Sequence, residues 1–260
     1  MGSTGILVKQ GGGKLVQGGQ CSYTGQTSIN NGTVQLATGN DRLPIGTVVN
    51  VGQSASVNLG TLDLNGRDQT IAGIVSTAGT NATASTNIVT SSATATLTIN
   101  TSGSNSYVYS AGMQANSGII SGAISLIKSG SGTQMLGGTN SYTGTTQITG
   151  GTLNVSGSIS GNGSVSLTNA NSTLITGSAT TIGGTITANN GTILIIGGMG
   201  SFGTLSSGAL TLNGGTTLNF DLLGSPASNN YDKISTSGVL TLGSGAEAIN
   251  IAGSGITAGS

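Results

Sequence analysis

The chain contains two similar 30-residue blocks, and the two copies align without a gap. Residues 7–36 and 126–155 match at a constant offset of 142 − 23 = 119 positions. The matched positions are Lys9 and Lys128, Gly18-Gly19 and Gly137-Gly138, Ser22 to Gly25 and Ser141 to Gly144, Ile29 and Ile148, and Gly32 and Gly151. A constant offset over such a length indicates duplication, because similarity caused by biased composition alone would need gaps. We therefore interpret the chain first as a repeat protein.

Short β runs punctuated by glycine make up the block. Thr152 to Val155 alternates apolar with polar residues, as half-buried strands do, and paired glycines such as Gly150-Gly151 permit corners with φ > 0. A unit this short cannot bury its own apolar face and must stack on its neighbours. We expect equivalent structural positions in the two copies for eight residues: Lys9, Tyr23, Gly25 and Gly32, and Lys128, Tyr142, Gly144 and Gly151.

The rest of the chain also consists of short predicted strands separated by turns. The region from Thr38 to Ala123 predicts strands at Thr47–Val51, Ala55–Leu59, Thr61–Leu64 and Ala93–Ile99, a turn at Gly66–Gln69 and a protruding loop at Gly79–Thr86. A tail over residues 156–260 predicts short strands around Val165/Leu167, Leu174, Ile182/Ile186, Ile193/Ile195, Leu210/Leu212, Leu218/Phe220, Leu240/Leu242 and Ile249/Ile251. We expect one domain over residues 1–260.

Two all-β architectures compete for such a pattern. A β-sandwich would explain the short strands, but it normally has Pro-containing turns and an aromatic-rich core, whereas this chain has 2 Pro and 7 aromatic residues. A parallel β-helix explains the recurring corner glycines as well, because each coil, one full turn of the chain around the axis, repeats its corners. At ~22 residues per coil the chain would form about 12 coils, and a rise of ~4.8 Å per coil gives a rod of roughly 55 Å.

Composition excludes several classes of partner. The chain has 48 Gly, no His, and 6 basic and 6 acidic residues, so its formal net charge is zero. Evenly spread aliphatic residues argue against disorder. Without a basic footprint we expect no nucleic-acid partner, and without a run of ~20 apolar residues we expect no membrane insertion by this segment.

The single cysteine, Cys21, excludes an intrachain disulfide and a thiolate metal site. It aligns with Asn140 in the second copy. This mismatch predicts that the position makes no special chemical demand.

The acidic residues do not suggest an enzyme. A polysaccharide lyase or hydrolase needs two carboxylates at a controlled separation in one groove. Three of the acids stand beside a base, which favours turn capping over catalysis; the full set is Asp41, Asp63, Asp68, Asp221, Asp232 and Glu247. No histidine is present for general-base work. We expect no catalytic residue, no metal site and no cofactor.

The block from Lys128 to Leu153, with its Asn-Ser-Tyr-Thr-Gly centre, closely resembles the autotransporter-associated β-strand repeat, also called the passenger-associated transport repeat. The first copy around Ser22 to Gly25 resembles it too. Leu64 to Gly73 and Ser117 to Gly122 are similar to elements that follow the repeat in that family. The resemblance implies a right-handed parallel β-helix from a bacterial surface or secreted protein. It also implies a role of the repeat in passenger export, without assigned catalytic residues.

We therefore expect a structural stalk or fibre module that is extracellular or on the bacterial cell surface. Both ends of the chain have the sequence pattern of β-strands, and an end strand offers unpaired backbone N–H and C=O groups. We therefore expect end-to-end association with like copies or adjacent repeats. The alternative is an adhesin that binds a surface glycan or a cell, with Tyr23 and Tyr142 as stacking platforms. The competing interpretation of these tyrosines is structural, with the ring covering the coil and the OH bonded to a backbone partner.

Overall fold

The computed structural model describes residues 4–52, 59–76, 87–109, 118–222 and 231–252. These residues form strands and turns and contain no helix. Accordingly, none of them belongs to an apolar helix of membrane-spanning length.

The described residues form 27 short strands. The first ten are β1 (Leu7–Lys9), β2 (Lys14–Gln17), β3 (Thr27–Ile29), β4 (Gly32–Leu36), β5 (Val48–Val51), β6 (Gly60–Asp63), β7 (Gln69–Ile71), β8 (Gly73–Ser76), β9 (Ile88–Asn100) and β10 (Ser106–Tyr109). The next nine are β11 (Ile119–Ser129), β12 (Thr133–Leu136), β13 (Thr139–Asn140), β14 (Thr146–Ile148), β15 (Thr152–Val155), β16 (Ser158–Ile159), β17 (Val165–Leu167), β18 (Thr173–Thr176) and β19 (Ala179–Ile182). The last eight are β20 (Ile186–Ala188), β21 (Ile193–Ile195), β22 (Thr204–Ser207), β23 (Leu210–Leu212), β24 (Thr217–Asp221), β25 (Lys233–Thr236), β26 (Leu240–Leu242) and β27 (Ala248–Ala252).

Every strand pairs in parallel with a strand of the neighbouring coil. The strands form four sheets in the orders β1-β3-β5-β8, β10-β12-β15-β18-β21-β24-β27, β2-β4-β6-β9-β11-β14-β17-β20-β23-β26 and β13-β16-β19-β22-β25, with β7 paired to β9. Within the described residues, the only antiparallel pairing is the isolated bridge between Leu222 and Tyr231. The parallel β-helix is therefore confirmed and the β-sandwich is excluded. The figure of about 12 coils stays a prediction.

Inward-facing residues stack in columns along the rod because the parallel ladders keep each coil in register with the next. One column runs through Leu97, Leu126, Val165, Ile186 and Leu210, with Thr146 between Leu126 and Val165. All of these side chains are buried, and the aliphatic ones belong to one core cluster. Each coil thus covers the apolar face of the coil beneath it, as the short repeat unit requires.

Most of the strands predicted from the sequence are present, with one boundary corrected. The predicted turn at Gly66–Gln69 ends earlier, because Gln69 is the first residue of β7 and its side chain is buried. The predicted strand Ala55–Leu59 lies outside the described residues except for Leu59, and the predicted loop Gly79–Thr86 lies wholly outside them.

Glycines permit close approach between coils where the second repeat copy meets the next coil. A Cβ atom on Gly161 would lie 1.9 Å from the carbonyl oxygen of Tyr142, and one on Gly163 would lie 1.9 Å from that of Gly144. Real Cβ atoms do not tolerate such contacts, so the two coils would have to separate. By contrast, a Cβ on Gly19 would meet no atom within 4 Å.

We expect Gly163→Ala to destabilise the protein by about 1–3 kcal/mol, because the added methyl group forces the coils apart. Thermal and denaturant unfolding followed by circular dichroism would measure the change. Gly19→Ala is the matched control and should leave the unfolding midpoint nearly unchanged. Equal effects of the two substitutions would contradict the stacking described here.

Candidate functional site

The repeat places a lysine inside an apolar column. Lys128 lies in β11 between Ile99 of β9 and Ile148 of β14, and its exposed fraction is 0%. Its Nζ donates hydrogen bonds to the carbonyl oxygens of Ser129, Gly130 and Gly150 at 2.7, 3.2 and 3.2 Å. The ammonium group therefore closes the corner of its own coil and ties it to the corner of the next coil.

The lysine of the first copy has hydrogen-bond acceptors at the same sequence spacings. Lys9 Nζ donates to the carbonyl oxygens of Gln10, Gly11 and Asn31. These acceptors lie 1, 2 and 22 residues after the lysine, as they do for Lys128. Lys9 differs in being only half-buried, so water reaches its corner.

Burial and the carbonyl acceptors act in opposite directions on the charge of Lys128. Burial lowers the pKa of Lys128 from 10.5 to about 8. The three carbonyl oxygens favour the charged amine, because each accepts a hydrogen bond from it. The side chain is thus a stabilising element of the corner, and its position offers no access to a substrate.

Glycine follows at the same corner in both copies. Gly32 and Gly151 have φ values of +76° and +61°, which L side chains rarely adopt. A Cβ on Gly151 would also lie 2.4 Å from the carbonyl oxygens of Gly130 and Gly132. At the other matched pair, Gly25 and Gly144, a Cβ would come within 2.5 Å of an atom of the preceding coil. The two lysines and the four glycines among the eight repeat positions therefore lie where two coils meet.

The two repeat tyrosines share one hydrogen bond but differ in exposure. Tyr23 OH bonds Thr27 Oγ1, and Tyr142 OH bonds Thr146 Oγ1, both at 2.6 Å. Tyr142 is 0% exposed, and burial raises its pKa well above the ordinary value. Its ring presents no face to a ligand in this structure. Tyr23 is only half-buried, so the stacking hypothesis stays a proposal for Tyr23.

Asn140 contradicts the expectation that its position makes no chemical demand. It is buried, its Oδ1 accepts a hydrogen bond from the Ile120 backbone N–H, and its Nδ2 donates to the carbonyl oxygens of Gly138 and Ser158. One amide thus joins three consecutive coils. The thiol of Cys21 cannot reproduce these three bonds, and burial raises the pKa of that thiol.

A cavity of about 330 Å³ lies beside Tyr23 in the first copy. Nine residues line it: Gln20, Cys21, Ser22, Tyr23, Thr24, Leu43, Pro44, Ile45 and Gly46. A second cavity, of about 300 Å³, is lined by serine, threonine and glycine with Ile182. It contains no aromatic ring.

Two buried glutamines were not among the candidate residues of the sequence analysis. Gln134 accepts a hydrogen bond from the Ile74 backbone N–H at 3.0 Å and donates to the Ile74 carbonyl oxygen at 2.9 Å. Gln69 makes the same pair of bonds with Leu43. Each side-chain amide therefore forms the two hydrogen bonds with one backbone residue that a neighbouring strand could form. For Gln69, the resemblance of Leu64 to Gly73 to an element that follows the repeat was the signal that could have identified it.

The carboxylates cap backbone N–H groups. Asp41 accepts from Thr70, Asp63 from Asn65, Asp68 from Thr96 and Asp221 from Gly200, at 2.7 to 2.9 Å. Among the described residues, no group of three or more histidine, cysteine, aspartate or glutamate side chains could hold a metal ion.

Asp232 is the most buried of these carboxylates, with an exposed fraction of 5%. Its two oxygens accept hydrogen bonds from the backbone N–H groups of Gly203 and Asp221, both at 2.7 Å. Burial is the main cause that raises its pKa above 3.8; the two N–H donors lower it, and the charge of Asp221 raises it further. Since both oxygens are engaged with the backbone, the Asp221–Asp232 pair joins segments of the fold.

Comparison with known proteins agrees with the repeat found in the sequence. The profile of the passenger-associated-transport-repeat family matches residues 7–36 and 126–155. These are the two copies recognised by their constant offset, and the resemblance to this autotransporter repeat is confirmed. The chain therefore contains a repeat module associated with autotransporter passengers, which indicates a secreted or surface-exposed protein. No curated protein and no solved structure matches the chain.

We expect Lys128→Met to destabilise the protein by about 1–3 kcal/mol, because the partly buried carbonyl groups of Gly130 and Gly150 lose their donor. Methionine keeps most of the aliphatic stem, so packing changes little. Lys9→Met is the matched control: water can replace the lost donor there, and the cost should stay below about 1 kcal/mol. Denaturant unfolding of both variants would measure the difference, and a larger loss in Lys9→Met would contradict the assignment.

Asp232 gives the stability a defined pH dependence. Because its pKa is raised in the folded state, the folded protein holds this proton more tightly than the unfolded chain does. Stability from this group is therefore present below its ordinary pKa of 3.8 and is lost as pH rises through the folded value.

Asp232→Asn removes this titration, so the stability of the native protein relative to the variant should fall as pH rises from about 3 to about 7. Unfolding free energies of both proteins across that range provide the measurement. A relative stability that rises with pH would show that the N–H donors outweigh burial.

Proposed function

We propose that this chain is a non-enzymatic structural module, a stalk or fibre segment of a bacterial passenger that is extracellular or displayed on the cell surface. The observation that carries the proposal is the unbroken succession of parallel ladders, of which the longest passes through ten strands from β2 to β26. A solenoid of this kind adds length in proportion to residues, and its ladders and stacked aliphatic columns resist bending. These are the properties that a spacer needs.

The polar side chains support a structural role. Five acidic residues accept hydrogen bonds from backbone N–H groups. The two repeat lysines donate to carbonyl oxygens. Catalysis would need such groups to face a substrate in one groove. These side chains instead form hydrogen bonds with backbone groups at the corners and edges of the coils.

The two end coils of the described rod favour association in one direction. At one end, the aliphatic side chains of β26 and β27 are 52–57% exposed; they are Leu240, Leu242, Ile249 and Ile251. At the other end, Ile6, Val8 and Val16 are exposed beside β1 and β2. A parallel β-helix has polarity, so the open strand edges at one end complement those at the other. We propose that a second copy, or an adjacent repeat, docks head to tail on this surface; copies that dock in this way produce an open filament.

We expect the purified protein to grow in mass with concentration, and the variant Leu240→Lys/Ile249→Lys to remain a monomer. Two lysines on the end coil would place like charges in an apolar contact, which costs free energy on burial. Val108→Lys is the control, because Val108 is exposed on the side of the rod in β10. Light scattering gives the mass, and small-angle X-ray scattering should show lengthening at constant cross-section.

A strict monomer over a wide concentration range would remove end-to-end association. A compact, nearly spherical particle would remove the rod itself. Thickening instead of lengthening would indicate lateral contact between rods.

An adhesin is the second candidate, and one observation favours it. Of the two repeat tyrosines only Tyr23 reaches solvent, and it does so inside a cavity. An adhesin would use such a surface recess to hold part of a ligand while the rod carries it away from the cell.

A further inference from the structure

We propose that the cavity beside Tyr23 binds one uncharged pyranose ring of a surface glycan. The inference rests on the adhesin alternative above, and it concerns a single recess on the rod. Its failure would leave the rod and its association untouched. If the rod proposal is wrong, the scattering experiments will show it. If the glycan-site proposal is wrong, only the ligand-binding experiment will show it.

The two repeat copies provide an internal comparison for this recess. In the second copy, Thr146 pairs with Val165, which is 165 − 146 = 19 residues later. In the first copy, the matching Thr27 pairs with Val49, which is 49 − 27 = 22 residues later. The coil that covers Tyr23 is therefore three residues longer than the coil that covers Tyr142.

These additional residues change what lies over the tyrosine. Gly161 and Gly163 pack against the backbone of Tyr142 and Gly144 and leave no space there. Over Tyr23 the corresponding stretch contains Pro44 and Ile45, and Ile45 is 61% exposed. The longer coil bows outward and leaves the cavity of about 330 Å³.

The second difference between the copies lies on the cavity wall. Asn140 of the second copy, which joins three coils, is replaced by Cys21 in the first. Cys21 makes one coil-to-coil bond through its backbone, from its N–H to the Arg42 carbonyl oxygen at 2.9 Å. The smaller side chain no longer spans the space to the neighbouring coils, so both changes act to open the same place.

The lining selects the chemistry of the ligand. Tyr23, Pro44 and Ile45 supply an aromatic and aliphatic surface, while Gln20 and Ser22 supply amide and hydroxyl groups. None of the nine lining residues is charged. The guanidinium of nearby Arg42 donates to the carbonyl oxygens of Asn40 and Gly18. An uncharged ligand with an apolar face and a polar edge fits this lining.

A pyranose ring has both of these properties. Its axial C–H groups form an apolar face suited to an aromatic ring, and its hydroxyls can bond the polar groups of the lining. The cavity lies at the lower end of the roughly 300–1,000 Å³ range of ligand pockets, which suits a single ring better than an oligosaccharide. The rest of a glycan would extend into solvent.

The experiment is an NMR titration of the full chain with methyl glycosides of uncharged hexoses and N-acetylhexosamines. We expect at least one to bind with a dissociation constant on the order of 1–10 mM, as a ligand of this size allows. Saturation transfer should be strongest at the axial C–H protons, which would face Tyr23. A glucuronate should bind no more tightly, because no lining residue is charged and the nearby Arg42 guanidinium is already engaged by the carbonyl oxygens of Asn40 and Gly18.

Two variants and one control locate the site. Tyr23→Ala should weaken binding about tenfold through loss of the ring face. Ile45→Ser should weaken it by a smaller factor, and because Ile45 is largely exposed this variant should keep the native melting temperature. Tyr142→Phe is the control and should leave binding unchanged, because Tyr142 is fully buried.

Three results would overturn the proposal. The first is absence of binding by every glycoside up to about 50 mM, well above the expected dissociation constant. The second is binding that persists unchanged in Ile45→Ser and Tyr23→Ala, which would place the ligand elsewhere, for instance in the hydroxyl-lined cavity near Thr181. The third is binding of phenol but of no pyranose, which would identify the recess as a purely apolar one.

Discussion

The hydrogen-bond ladder between successive coils is the constraint on which the whole structure depends. Because the ladders are parallel and in register, each paired strand residue lies directly over its counterpart in the coil below. An inward position must therefore suit the column above and below it as well as its own strand. This explains why the chain uses short aliphatic residues inside and glycine at the corners. It also explains why a polar residue inside a column must find its partners along the rod axis.

The buried polar residues solve a problem that a repetitive sequence creates. Strands of threonine, glycine and isoleucine resemble one another, so a coil could slip along its neighbour at little cost in apolar contact. Asn140 and Gln134 bind a backbone N–H and backbone carbonyl groups of other coils. A slipped coil would leave these amides unsatisfied in the core, which is costly. We infer that they stabilise the register as well as the fold.

The repeat and the architecture could be predicted from the sequence because they depend on local regularities. A constant offset reveals the duplication, and alternation with corner glycines predicts stacked parallel strands. The roles of Gln134 and Asn140 could not be predicted in this way. Gln134 binds Ile74, which lies 60 residues away in the chain. Nothing in an alternating pattern tells whether a polar residue at an inward position has such a partner, because that depends on which coil happens to lie opposite.

The contrast between Tyr23 and Tyr142 follows from the same constraint. The two blocks align without a gap, and both tyrosines make the same hydrogen bond to a threonine four residues later. Their different exposure comes from the following coil, which is tight and glycine-rich over Tyr142 and longer over Tyr23. In a solenoid, the surface of one repeat is thus determined partly by the length of the next coil. Insertions between repeats can therefore open a recess without disturbing the ladder, since the ladder needs only the paired strands on either side.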